Sequence, residues 1–211
     1  MHRRIRRNHQ QQGEPRPVIP HFNLSFAFAR FLRRETSGAS AVEFALISPV
    51  LILILAGLVD IGGSLKAKFD LSSAISAGSN YALLGADKVN SAGGSTLASN
   101  ILAVVANGLG SAGGSVQIVV NNGTTTSYNS STGAATQTGT AANADLCYCP
   151  TGSAASVTWG SAVTCGSICP AGNLGGKFVT ISASRAFSPL FGGFGVVSSG
   201  NITVQSMVQP Q

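Results

Sequence analysis

The chain has 211 residues, of which 44% are hydrophobic, only 9% are charged and 26 are glycine. That is too apolar for a disordered protein and too poor in charge for a typical cytoplasmic enzyme. The formal net charge of +6 points to nucleic acid only until the charges are mapped along the chain. Residues 1–38 carry Arg3, Arg4, Arg6, Arg7, Arg16, Arg30, Arg33 and Arg34 against Glu14 and Glu35, so the leader alone has 8 − 2 = +6. Residues 39–211 balance five basic groups against five acidic ones. The body has no excess positive charge with which to grip phosphates, and no nucleic-acid partner is expected.

Residues 1–37 mix Arg, Gln, Pro and His without apolar periodicity, which is the composition of a disordered segment. Within them, Phe22–Arg34 is basic and Phe-bearing. It suits an amphipathic turn or two on an anionic membrane surface, and equally a solvated tail whose Phe residues touch nothing specific.

Phe44 to Val59 is a run of sixteen uncharged residues. As a helix it spans roughly 24 Å at about 1.5 Å per residue, a little short of a ~30 Å hydrocarbon core. Adding Ala39–Val42 and Ile61–Leu65 supplies the missing length and places Glu43 and Asp60 at the two ends. Arg30, Arg33 and Arg34 lie just before the run, as expected of a cytoplasmic flank. A membrane helix with its N-terminus inside is therefore expected. Pro49 removes one backbone hydrogen bond and should kink the helix, which a membrane span tolerates. A secretory signal peptide explains the segment less well, because the run is long, starts late and continues into helix-compatible sequence.

Leu71, Ala74, Ile75, Gly78 and Ala82 recur at three- and four-residue steps, one apolar stripe on a helix. The span should thus leave the membrane and become amphipathic, with a possible break at Gly62-Gly63 and an end near Ser91–Gly94. Ser95 is the expected cap of a second helix reaching about Asn107, with Leu97, Ile101, Leu102, Val104 and Val105 as its apolar face. Gly108 or Gly110 would stop it. Val116–Val120, Phe178–Ala183 and Ile202–Gln205 read as strands, with Asn122-Gly123 a turn after the first. Thr124–Ala144 is a Thr/Ser/Gly/Ala/Asn stretch expected to be a loop or low-complexity insert. The expected fold is α+β: a membrane helix continuing into an amphipathic helix, packed on a small antiparallel sheet.

Catalytic machinery is hard to assemble from this inventory. His2, His9 and His21 all lie in the leader, and the body's acids Glu43, Asp60, Asp70, Asp87 and Asp145 are spread singly. A Ser-His-Asp triad, a His-metal site or a Cys-His dyad cannot be built from the body. The chain is read as a non-enzyme with no cofactor and no small-molecule substrate.

Gly38-Ala39-Ser40-Ala41-Val42-Glu43-Phe44 carries the sharpest functional information. A glutamate at the edge of an apolar span is costly, up to about 2.5–3.5 kcal/mol at a helix centre, and needs a partner or a purpose. If the chain were cut after Gly38, Ala39 would carry a new α-amino group, with Glu43 four residues on along the same helix face. Ammonium and carboxylate would ease each other's desolvation, and the positive end of the helix dipole favours the carboxylate. The plainer alternative is an interfacial Glu reaching headgroups from an uncleaved helix.

Gly-x-x-x-x-Glu-Phe before an apolar helix resembles the type IV prepilin processing signal, and the run from Gly38 to Gly62 resembles the TadE-like group of tight-adherence pilus assembly proteins. That resemblance implies a minor pseudopilin or membrane-anchored pilus component with a pilin-like fold. It implies cleavage after Gly38 by a prepilin peptidase, with Gly38, Ala39, Glu43 and Phe44 as the processing signal. It also implies a role for Glu43 in subunit packing, and other tight-adherence proteins as partners alongside inner-membrane lipid. The leader is longer than a prepilin's; an uncleaved protein would keep the same orientation.

Cys147-Tyr-Cys149-Pro and Cys165-Gly-Ser-Ile-Cys169-Pro form two matched clusters. Four cysteines so spaced are compatible with a structural zinc, but the expected topology places them outside the cytoplasm, where disulfides persist. Two disulfides are favoured. Of the three connectivities, the one containing Cys147–Cys149 is disfavoured because a Cys-x-Cys bridge closes a strained ring. The expected organisation is a cytoplasmic leader 1–38, a transmembrane helix 39–65 and a periplasmic α+β domain 66–211 with a disulfide-tied loop 145–170. The functional expectation is a pilus subunit or assembly factor at the bacterial inner membrane. The alternatives are an uncleaved anchored binding module and, only if the body is cytoplasmic, a zinc-bearing module.

Overall fold

The computed structural model describes residues 37–154, 156–191 and 199–210. Residues 1–36 of the basic leader, with the Phe22–Arg34 stretch, lie outside them. The chain divides into two compact units, Met1–Pro49 and Val50–Gln211. A single helix, α1 (Ser37–Leu84), runs through the boundary, the long helix that was expected, and it is not broken at Gly62-Gly63. Neighbouring apolar residues hold the helical path there, and Phe187 packs within 3.6 Å of where a Gly63 side chain would begin.

In the first unit the described residues are helical, with Pro49 inside the helix. Proline has no N–H for the Ala45 carbonyl one turn back. The Ser48 hydroxyl donates to that same carbonyl at 3.4 Å, partly restoring what proline removes.

In the second unit α1 changes character. Val50–Val59 exposes every large side chain by 44–60%. From Ala56 onward one face is buried, through Asp60, Ala67, Leu71, Ala74, Ile75, Gly78 and Ala82. The stripe expected from Leu71 to Ala82 is therefore real and begins earlier. Helix α1 ends at Leu84, before the expected Ser91–Gly94, and a short 3-10 turn follows (Ala86–Lys88).

Helix α2 (Gly94–Leu109) packs on this stripe through Leu97, Ile101, Leu102 and Val105, all buried, while Val104 is only half-buried. Its start is organised by Asn90, not by Ser95. The Asn90 Oδ1 accepts the N–H groups of Ala92 at 3.0 Å and Gly93 at 2.7 Å, and Ser95 lies inside the helix. Gly110, at φ 58°, ends α2 as expected. The helices approach closely where α1 is smallest: a Cβ on Gly78 would lie 2.6 Å from Val105 Cγ2 and 3.4 Å from Ile181 Cδ1.

Five antiparallel strands form the main sheet in the order β3-β2-β1-β6-β7. These are β1 (Ser115–Val120), β2 (Thr125–Asn129), β3 (Ala134–Thr138), β6 (Val179–Phe187) and β7 (Gly200–Val208). Between β3 and β6, β4 (Thr151–Ser153) and β5 (Ser156–Thr158) pair separately as a small hairpin. Alternate residues of the two central strands enter the core, with Val116 opposite Ala183, Ile118 opposite Ile181 and Val120 opposite Val179. This places the helices against one face of the sheet, an α+β fold as expected.

Two local expectations are corrected. The hairpin after β1 turns at Asn121 (φ 49°) and Asn122 (φ 57°), one residue before the expected Asn122-Gly123, with Gly123 N–H donating to Val120 O. Two positive φ values in succession make this a type I′ turn, which matches the strand twist. The stretch Thr124–Ala144 is not a loop, since it supplies β2, β3 and the 3-10 turn Ala141–Asp145. Threonine is β-branched and fits a pleated strand; Thr126, opposite Ile118, is buried in the core.

Arg185 on β6 joins several parts of the domain. Its guanidinium donates to the carbonyls of Gly113 and Leu109, each at 3.0 Å, and lies 3.8 Å from the Asp70 carboxylate. The Leu109 carbonyl is one that the end of α2 leaves without a helical partner, a favourable place for a cation.

Candidate functional site

Gly38, Ala39, Glu43 and Phe44 all lie exposed on the first turns of α1. Among the described residues, no atom beyond the adjoining helix backbone lies within 4 Å of where a Gly38 Cβ would be. Among the described residues no ion pair is formed by Glu43. The helix that follows is apolar around its circumference, and its most apolar 18-residue window has a mean hydropathy of 2.5. A core helix of a soluble protein would bury such side chains against its own fold. Here Val42, Phe44, Leu46 and Ile47 are exposed along with the large residues of Val50–Val59. A surface of this kind calls for lipid or other protein subunits.

Asp60 marks the end of the apolar run, and its role was not visible in the sequence. Its side chain is only 3% exposed. Oδ1 accepts the backbone N–H of Leu190 at 2.8 Å, and Oδ2 accepts that of Phe191 at 3.0 Å. A buried carboxylate is costly unless it is hydrogen-bonded, and two donors aimed at its two oxygens supply charge-assisted bonds. The contact joins α1 to the segment following β6. A lone Asp interrupting an apolar helix was the available signal, but its partners lie 130 and 131 residues away in sequence.

Later in the chain, Cys147 pairs with Cys165 and Cys149 with Cys169, with Cα–Cα distances of 5.2 and 5.7 Å. The two bridges use all four sulfurs, so they and a thiolate zinc site are mutually exclusive. Among the described residues, no group of three or more His, Cys, Asp or Glu is placed so that it could hold a metal ion. The bridges hold a segment with little regular structure, tied elsewhere by backbone pairing of Tyr148 with Gly176 and of Cys147 with Val163. Trp159 meets Tyr148 edge-on at 5.8 Å between ring centres. Beside them lies an open cleft of about 570 Å³, lined in part by Trp159, Ile168, Pro150 and Pro170.

The exposed apolar helix, continuing into a small α+β domain, defines a class: a domain carried on one helix long and apolar enough to cross a membrane. Residues 38–79 match the family model described as TadE-like protein. The match covers α1 from Gly38 to Ser79 and so contains both the helix-start motif and Asp60. The resemblance of this helix to TadE-like proteins is thereby borne out over residues 38–79. No curated protein and no solved structure matches the chain.

Proposed function

We propose that the protein is a minor pilin-like subunit or assembly factor of a tight-adherence pilus. It is held in the bacterial inner membrane by α1, with the leader cytoplasmic and the α+β domain periplasmic. The orientation follows from the arginines before the span. Its work is structural and non-enzymatic: the helix stores the subunit in lipid and packs against other pilus components. The domain supplies an extracytoplasmic surface for assembly and adherence.

A prepilin peptidase would act after Gly38, where the chain has no side chain to obstruct approach. The new ammonium of Ala39 would then meet Glu43 one helical turn on, at the edge of the apolar segment. Between packed helices this pairing relieves the desolvation cost of both charges.

The observation that carries the proposal is the Gly38-x-x-x-x-Glu43-Phe44 motif at the head of an exposed apolar helix that matches the TadE-like family model. Intact mass of the membrane-bound protein, with and without the cognate prepilin peptidase, tests the processing step. A form beginning at Ala39 only when the peptidase is present is expected. A full-length mass in both cases overturns processing and leaves an uncleaved anchored domain.

A further inference from the structure

We propose that the turn at residues 188–191, which carries Leu190 and Phe191, is a second membrane contact that Asp60 fixes at the level where α1 leaves the outer leaflet. The inference rests on α1 spanning the bilayer and concerns a part of the molecule that its helix does not include.

Position along α1 supplies the first argument. A helix needs about 20 apolar residues to cross a ~30 Å core, so a span that begins at Phe44 runs past Asp60 to about Gly63. The last turn of the span is therefore also the first stretch of α1 to which the domain is attached. Ala56 and Asp60 are already buried, and Phe187 packs over Gly63. The Asp60 carboxylate bonds directly to the backbone of Leu190 and Phe191. Those two residues cannot lie more than a few ångströms from Asp60's own depth.

The chemistry of the segment supplies the second. No charged side chain follows Arg185 in the sequence. Leu190 is 79% exposed and Phe191 40% exposed. A water-facing turn gains nothing from presenting these side chains, whereas a lipid-facing one does. Irregular backbone at such a depth is tolerated only if its polar groups are satisfied within the protein. Pro189 has no N–H, and the next two N–H groups are the ones Asp60 accepts. The buried carboxylate thus has a purpose suited to lipid: it satisfies the N–H groups of Leu190 and Phe191 and leaves the Leu190 side chain exposed.

The occupant is the acyl-chain and headgroup boundary of the bilayer that α1 spans, rather than a second protein. The exposed large apolar side chains of Val50–Val59, on the turns of α1 directly before Asp60, favour it. On the domain side of this boundary, Lys66 and Lys68 on the next turns of α1 are exposed at headgroup height.

The test uses the full chain in phosphatidylcholine vesicles with the Trp159→Phe substitution, which keeps an aromatic ring against Tyr148 and removes the native tryptophan. Leu190→Trp and, separately, Leu51→Trp then report depth through quenching by lipids brominated along their acyl chains. Both probes should lose emission, with Leu190→Trp quenched most by bromine near the headgroup and Leu51→Trp by deeper bromine. Adding Asp60→Asn to the Leu190→Trp chain should reduce its quenching and shift its emission to longer wavelength, because an amide cannot accept from both N–H groups as a carboxylate does. Quenching of Leu51→Trp without quenching of Leu190→Trp overturns the second contact while the anchor stands. Quenching of neither overturns the anchor, and the second contact with it.

Discussion

Asn121 is buried at the end of β1 with a positive φ, and its amide is used on both sides. Nδ2 donates to the carbonyls of Ala144 at 3.0 Å and Leu146 at 2.6 Å, while Oδ1 accepts the Phe178 N–H at 3.1 Å. One side chain therefore joins the β1–β2 turn to the start of the disulfide-tied segment and the start of β6. Asn121→Ala removes the side-chain partner of three backbone groups, two of them in buried bonds and the Leu146 carbonyl in a partly buried one. At about 1–3 kcal/mol for each unsatisfied group, partly relieved by water, a loss near 3 kcal/mol is expected. Asn121→Gly accommodates the positive φ but also loses the bonds. Chemical denaturation of the two variants should therefore give similar losses, and a glycine variant as stable as the native protein would mean that backbone strain, not bonding, is what Asn121 resolves. Asp145 offers a pH test at the same scale. The hydroxyl and the backbone N–H of Ser91, the latter 2.8 Å from Oδ1, hold its carboxyl below the usual carboxylate range, and Lys177 adds to the effect. A depressed carboxylate contributes stability that is fully present above its unfolded value of about 3.9 and is lost as pH falls through its lower folded value. The tie between residues 91 and 145 should thus hold from neutrality down to about pH 4 and weaken below it. NMR titration of the Ser91 amide should give a midpoint under the model-peptide value, and the titration should vanish in Asp145→Asn.

Packing between α1 and α2 is decided by atoms that are not there. A methyl group on Gly78 would come within 2.6 Å of Val105 in the core. Gly78→Ala gains about 1 kcal/mol of helix propensity and incurs about 1–3 kcal/mol of overpacking. Because Val105 is fully buried and Ile181 closes the other side, the clash should win and the melting temperature should fall. A rise would show that α2 can move aside freely. Sequence periodicity was a good guide to this interface, because a stripe such as Leu71-Ala74-Ile75-Gly78-Ala82 depends only on helical geometry and apolarity. It was a poor guide to β2 and β3. Their sequences, Thr-Thr-Ser-Tyr-Asn and Ala-Ala-Thr-Gln-Thr, show no apolar alternation, and the pairing partner lies across a turn. Helix α2 was found, but its cap was misplaced, since Ser95 has the right chemistry for capping and Asn90 makes the bonds. Of the candidate site, the helix-start motif is local and was legible, and so was the pairing potential of the cysteines. The Asp60 contact was not, because nothing near residue 60 announces a partner beyond residue 189.

For the whole molecule, two chemically different ends are separated along one chain. One is the exposed apolar helix, long enough to cross a membrane; the other is the bridged segment beside Trp159, which bears no charged side chain from Leu146 to Gly176. A substitution at the first end should leave the second folded. Glu43→Ala makes the start of α1 more lipid-like, so membrane fractionation should find it inserted as before. Under the proposed pairing with Ala39, its co-purification with pilus partners and the number of surface pili should both fall. Native levels of both would assign Glu43 to headgroup contact instead. Thermal unfolding of the α+β domain should be the same in either case, since Glu43 is exposed and makes no ion pair among the described residues.

The order in which the four cysteines are made has a consequence for how the protein matures. Cys147, Cys149, Cys165 and Cys169 appear in that order, but the bridges interleave: first with third, second with fourth. If the domain emerges into an oxidising compartment, as proposed, the first two thiols to appear are neighbours that must not be joined to each other. An oxidant acting on cysteines in order of emergence would trap them wrongly, and thiol–disulfide exchange would have to undo the error. Maturation should therefore depend on an isomerase as well as an oxidase. In cells lacking disulfide-isomerase activity, non-reducing peptide mapping should find a population linked Cys147–Cys149, still anchored through α1 but sensitive to protease beyond Asp145. Native pairing throughout would mean that the sheet and the Asn121 contacts form first and choose the partners themselves.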